Sequence, residues 1–70
     1  MESTYKIVEL VGTSPESWEK AAAVALKTAK KSLRDLRIAE VADLDITVGD
    51  DGEIIAFRTK LKVSFKYDSD

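Results

Sequence analysis

Five carboxylates crowd one short stretch of this 70-residue chain: Asp50 and Asp51 inside a Gly-Asp-Asp-Gly sequence, and Asp43, Asp45 and Glu53 flanking it. Calcium takes about six to eight oxygen ligands, and a flexible hairpin can add backbone carbonyls to side-chain carboxylates. Asp43, Asp45, Asp50 and Asp51 are therefore candidate metal ligands. Their spacing is not that of an EF-hand loop, because Thr47 and Val48 occupy the third-ligand and glycine positions. The competing reading is a solvated hairpin whose carboxylates pair across to Arg58 and Lys60. In a symmetric assembly, copies of one carboxylate can meet on an axis, and spacing along one chain would not reveal it. Arg58, Lys60, Lys62 and Lys66 form a basic stripe, either a phosphate site or the polar face of a strand. Trp18, the sole tryptophan, is either a platform for a ring or a packing residue of the core or a subunit interface.

Composition narrows the chemistry. There is no His and no Cys, which removes disulfides, the usual zinc ligands and the commonest catalytic groups. Acid–base work would fall to a carboxylate, lysine or tyrosine in a deep pocket, which a thin domain rarely builds, so no enzyme is expected. A net charge of -2 argues against nucleic acid as a partner. No apolar run has the length of a membrane span, and no signal-peptide pattern opens the chain, so a soluble cytoplasmic protein is expected. Residues 1–70 read as one domain. A domain this small buries only about 60% of its unfolded surface, and oligomerisation is the remaining common remedy.

The elements that would position these residues are legible. Tyr5, Ile7, Val8, Leu10 and Val11 predict a strand over residues 5–11 with two apolar faces. Gly12 supplies freedom for a turn, Ser14 or Thr13 serves as N-cap, and Pro15 suits the first helical position. The helix is expected from about Pro15 to Leu33, its apolar face formed by Trp18, Ala22, Ala25, Ala29, Leu33 and Leu36. Arg37–Val48 predicts a second strand, with a bulge near Val41-Ala42 where the alternation slips. Gly49–Gly52 is a hairpin loop. In the third strand Phe57, Thr59, Leu61, Val63, Phe65 and Tyr67 face one way, and Arg58, Lys60, Lys62, Ser64 and Lys66 the other. Setting Val48 opposite Glu53 puts Asp43 opposite Arg58 and Leu44 opposite Phe57. The expected fold is α+β: β-α-β-β, a three-stranded antiparallel sheet packed on one helix. Residues 1–3 and Asp68-Ser69-Asp70 are expected to fray.

One family shows this order of fragments. Tyr5-Lys6 and Val11-Gly12-Thr13-Ser14-Pro15-Glu16-Ser17 come first, then an Ala-rich helix closing at Leu33-Arg34-Asp35-Leu36. Ala39-Glu40-Val41 and Leu61-Lys62-Val63-Ser64-Phe65 follow. In this the chain resembles the dodecins, small flavin-binding proteins that assemble into hollow twelve-subunit shells. The resemblance implies the same β-α-β-β unit, a homododecamer, and a small ligand (riboflavin or FMN in the flavin-binding members) held on a symmetry axis between copies. It also implies that Ile38 stands where those members stack a tryptophan on the flavin. Arg58 stands where a glutamine meets the ring edge, and Asp45 at a ring-side polar or basic position. With these contacts changed, flavin binding is expected to be weak or lost while the shell persists. Ser17-Trp18-Glu19, Ile38 and Arg58 together look closer to the branch called calcium dodecins, which implies calcium as ligand; a ligand-free structural shell is the other alternative.

Overall fold

The computed structural model describes residues 2–66. Strand β1 (Tyr5–Ser14) leads into helix α1 (Trp18–Ala29), followed by the hairpin strands β2 (Leu36–Val48) and β3 (Ile54–Lys66). β3 lies in the middle of the sheet and pairs antiparallel with both neighbours, in the order β1-β3-β2. The expected α+β fold is the observed one. β1 and β2 run parallel at the two edges, and α1 is the crossover between them, laid over the strand that separates them. Tyr67 and the acidic end Asp68-Ser69-Asp70 lie outside the described residues.

The core is small and its side chains are short. Ala21, Ala25 and Ala29 of α1 are buried with Leu61 and Val63 of β3, while Val8, Leu10, Ala22, Leu26 and Leu36 close the margins. Full burial of a leucine or valine stabilises by about 1.5–3 kcal/mol, so two such side chains carry much of this core. Alanines bring the helix axis close to the sheet, and Gly12 completes the approach. A Cβ built on Gly12 would lie 1.9 Å from the Ala21 carbonyl oxygen and 2.9 Å from Ala25 Cβ. The expectation that Gly12 serves a turn is thus corrected: it is a mid-strand contact point beneath the helix.

Three local expectations are corrected. β1 continues through Ser14, because a residue before proline is pushed to extended backbone. Ser14 Oγ accepts from the Glu16 amide at 3.0 Å, a turn contact, and the N-cap is Ser17, whose Oγ accepts from the Lys20 amide at 3.0 Å. The helix ends at Ala29 rather than Leu33; bonds from the Ser32 and Leu33 amides to the Ala29 carbonyl wind the chain into a turn. The hairpin register is the third. Gly49 N–H donates to the Glu53 carbonyl at 2.8 Å, so Gly49 rather than Val48 faces Glu53. A further register shift between Thr47 and Val48 then places Asp45, not Asp43, opposite Arg58, and Ile46 opposite Phe57. The expected bulge is present between Val41 and Asp43.

Candidate functional site

Alternation along β3 separates two chemistries. Thr59, Leu61 and Val63 are buried under α1. Arg58, Lys60 and Lys62 fall on the other face, flanked on β1 by Thr13, Val11 and Glu9 and on β2 by Asp45, Asp43 and Glu40. A basic central strand thus lies between two edges that carry acids. Arg58 Nε donates to Asp45 Oδ1 at 2.7 Å and its terminal nitrogen to Oδ2 at 2.9 Å, a bidentate pair. Lys60 Nζ lies 3.7 Å from Glu9 Oε1. The stripe reads as a neutralised strand face rather than an open phosphate site.

The pair shifts both of its members. The hydrogen bond from Arg58 holds the Asp45 carboxyl below its ordinary value, against a smaller upward push from desolvation, and Arg58 is raised by the same bond. Asp45 is also tied down through its backbone. Trp18 Nε1 donates to the Asp45 carbonyl at 3.1 Å, and the Trp18 ring meets Phe57 edge-on, with centroids 5.2 Å apart at 74°. Thr59 Oγ1 donates to the Trp18 carbonyl at 2.8 Å. Trp18 is therefore a packing residue that pins the helix start to both strands of the hairpin. Nothing in the sequence spacing announced these two hydrogen bonds, although an aromatic in the first helical turn opposite a strand threonine was the available signal.

Asp45 and Arg58 meet, and Asp43 lines the same cleft of about 300 Å³ with them, whereas Ile38, Asp50 and Asp51 do not join them. Asp43 lies opposite Lys60, and Asp50 and Asp51 occupy the hairpin tip, where Asp51 Oδ1 accepts from the Glu53 amide at 3.0 Å. Among the described residues no group of three or more acidic side chains is placed to hold a metal ion. Ile38 stands at the far end of β2, opposite Ser64 and 65% exposed. Ser64 lies six positions along β3 from Arg58, about 20 Å of strand. A small ligand touching both Ile38 and Arg58 would have to take them from different copies of the chain. Ile38 instead lines an apolar cleft of about 570 Å³ together with Leu26, Leu36, Ala39 and Val63.

The model of the dodecin family matches residues 4–68. The chain belongs to the dodecin family. It is 48% identical over 64 residues to the calcium dodecin of Mycobacterium tuberculosis, covering 91% of this chain and 89% of that protein. It is 42% identical over 66 residues to a dodecin of Thermus thermophilus, covering 94% of each. The fold agrees with solved relatives. A crystal structure of the M. tuberculosis protein, described as a calcium-chelating antigen with a novel calcium-binding site, superposes with a TM-score of 0.84 at 46% identity, covering 96% of this chain and 94% of that one. The dodecin of Streptomyces coelicolor gives a TM-score of 0.90 at 31% identity, covering 97% and 96%.

Proposed function

We propose that this chain is a subunit of a closed twelve-copy shell in the cytoplasm that binds and stores a small ligand between copies, without turnover. One observation carries the reading: the isolated subunit is an open, elongated body. Its radius of gyration is 14.5 Å, against about 11 Å for a compact domain of this length. Ile7, Val11, Ile38, Val41, Leu44 and Val48 are each more than half exposed. Both edge strands are long, and closed assembly is one way such edges are covered.

Calcium is the ligand this dodecin favours, and flavin is disfavoured. Ile38 offers no ring to stack on, and the Arg58 guanidinium is already held by Asp45. Among the four candidate metal ligands, Asp45 and Asp51 accept hydrogen bonds within the chain. Asp43 and Asp50 are exposed and are the carboxylates we expect copies to share on an axis. The relative at 48% identity that bears the name calcium dodecin supports the same ligand.

Light scattering, thermal unfolding and a riboflavin fluorescence titration on one preparation test this. The expected result is a twelve-subunit mass, a midpoint raised by calcium more than by magnesium, and little quenching of riboflavin. Calcium at about a hundred times its dissociation constant would add about 2.7 kcal/mol per site. Strong quenching with no calcium response would reinstate flavin; neither response would leave a structural shell; a monomer would overturn the reading.

A further inference from the structure

The charges of this chain are sorted along its length. Residues 43–53 carry five carboxylates and no cation, whereas residues 27–37 carry five cations and one carboxylate. The first segment surrounds the hairpin tip. The second runs from the last turn of α1 into the start of β2. β2 is 13 residues long and holds the two segments apart by about 40 Å of strand. They lie towards opposite ends of a body 53 Å long and 20 by 15 Å across. One end of the molecule is therefore acidic and the other basic, although the net charge is only -2. Asp43 and Asp45 lie opposite Lys60 and Arg58, but residues 46–57 contain no cation to face Asp50, Asp51 and Glu53.

The acidic end is also bare. β1 stops pairing with β3 at Ser14 and Phe57, and α1 starts beside Phe57. Past that point the hairpin runs on as two strands alone. Val48, Ile54 and Ile55 of this arm are 57, 56 and 56% exposed. A two-stranded hairpin with nothing packed on it is marginal in water. The basic end offers apolar surface to match. Leu26, Leu36 and Val63 line a cleft there, in a wall shared with Lys27, Lys30 and Arg37.

We propose that copies of this chain meet head to tail, the hairpin arm of one seated against the basic end of the next. Within one chain the two ends cannot meet, because β2 keeps them apart. Between chains they complement each other twice, carboxylates to cations and exposed aliphatic side chains to an apolar cleft. Complementary potentials of this kind fix register and speed encounter. Contact between two different surfaces repeats from copy to copy until a ring closes, or closes at once when two copies lie antiparallel. This contact presupposes the assembly proposed above and names one of its interfaces. Asp50 belongs to the calcium reading as well, and calcium-free buffer separates the two roles.

Light scattering over a range of subunit concentrations, in calcium-free buffer, tests the contact. Asp50→Lys with Glu53→Lys should raise the concentration of half-assembly by at least about tenfold, and so should Lys27→Glu with Arg37→Glu. All four substitutions in one chain should restore most of the loss, since acid and base have only exchanged ends. Should a reversed chain fail to fold by circular dichroism, Lys27→Gln with Arg37→Gln must weaken assembly instead, and added salt must weaken that of the unmodified protein. Unchanged assembly in either pair of reversals, or no rescue in the folded four-fold variant, overturns the contact and leaves the shell standing. A mass other than twelve subunits removes the shell, and the reversals still decide the contact on whatever assembly forms. A monomer at every concentration overturns both.

Discussion

At its N-terminal end α1 is fixed by directional contacts, whereas at its C-terminal end it rests on apolar ones. Ser17 caps the first turn, Thr59 donates to the Trp18 carbonyl, Trp18 donates to the Asp45 carbonyl, and Gly12 admits the Ala21 backbone. A slide of even one ångström would break several of these at once. At the other end Leu26 and Leu36 pack against the core over Val63, beside an open cleft. Dispersion contacts of that kind have no preferred angle and survive small displacements. The contrast teaches where position is specified and where room is left. The helix is aimed from its start, and its end is free to border a cavity.

The strongest way to break this comparison is Gly12→Ala. With 1.9 Å between the new methyl and the Ala21 carbonyl oxygen, the helix start must lift from the sheet, dragging Trp18 and its two hydrogen bonds. The expected loss is at or above the upper end of overpacking effects, about 3 kcal/mol. Urea unfolding at a fixed subunit concentration would measure it, since assembly makes apparent stability depend on concentration. An unperturbed variant would mean that the start of α1 is as tolerant as its end.

A matched pair of substitutions sharpens the same point. Thr59 is almost fully buried, and its hydroxyl is spent on the Trp18 carbonyl. Thr59→Val keeps the shape and removes the bond, for an expected loss of about 1 kcal/mol. Lys30→Ala, at the exposed open end, should change stability by no more than about 0.5 kcal/mol. Equal effects would erase the distinction between the two ends.

Much of this architecture is legible in the sequence, and what is not has physical causes. The alternation in β3, the Gly49–Gly52 loop and the bulge near Val41-Ala42 are local patterns, and local patterns survive into the fold. Ser14 misled because two serines and a proline each satisfy part of a helix-start rule, and only the path of the chain decides among them. The hairpin register is set by one hydrogen bond, from Gly49 to Glu53, and by a bulge beside it; the charges were compatible with either pairing. Gly12 was read as a turn because a glycine needed for close approach has no local signature. The candidate site was legible in part. Arg58 was expected beside an aspartate, but its partner is two residues from the one named. The cleft beside the end of α1 draws on helix and strand at once, so no single period could show it.

Asp45→Asn should have the smallest effect of these, and it separates side chain from backbone. The Asp45 carbonyl that receives Trp18 remains, while the carboxylate that receives Arg58 is lost. Arg58 holds the Asp45 carboxyl below its ordinary value, so the folded state binds this proton less readily than the unfolded state does. An unfolded aspartate titrates near pH about 3.9, and the contribution of the pair is fully present above that. It fades as pH falls through the lower folded value. The stability gap between the unmodified protein and the variant should therefore be level from neutral pH to about pH 5, shrink in stronger acid, and shrink also with added salt, since both groups are half exposed. A gap that held constant into strong acid would show that the pair does not stabilise the fold.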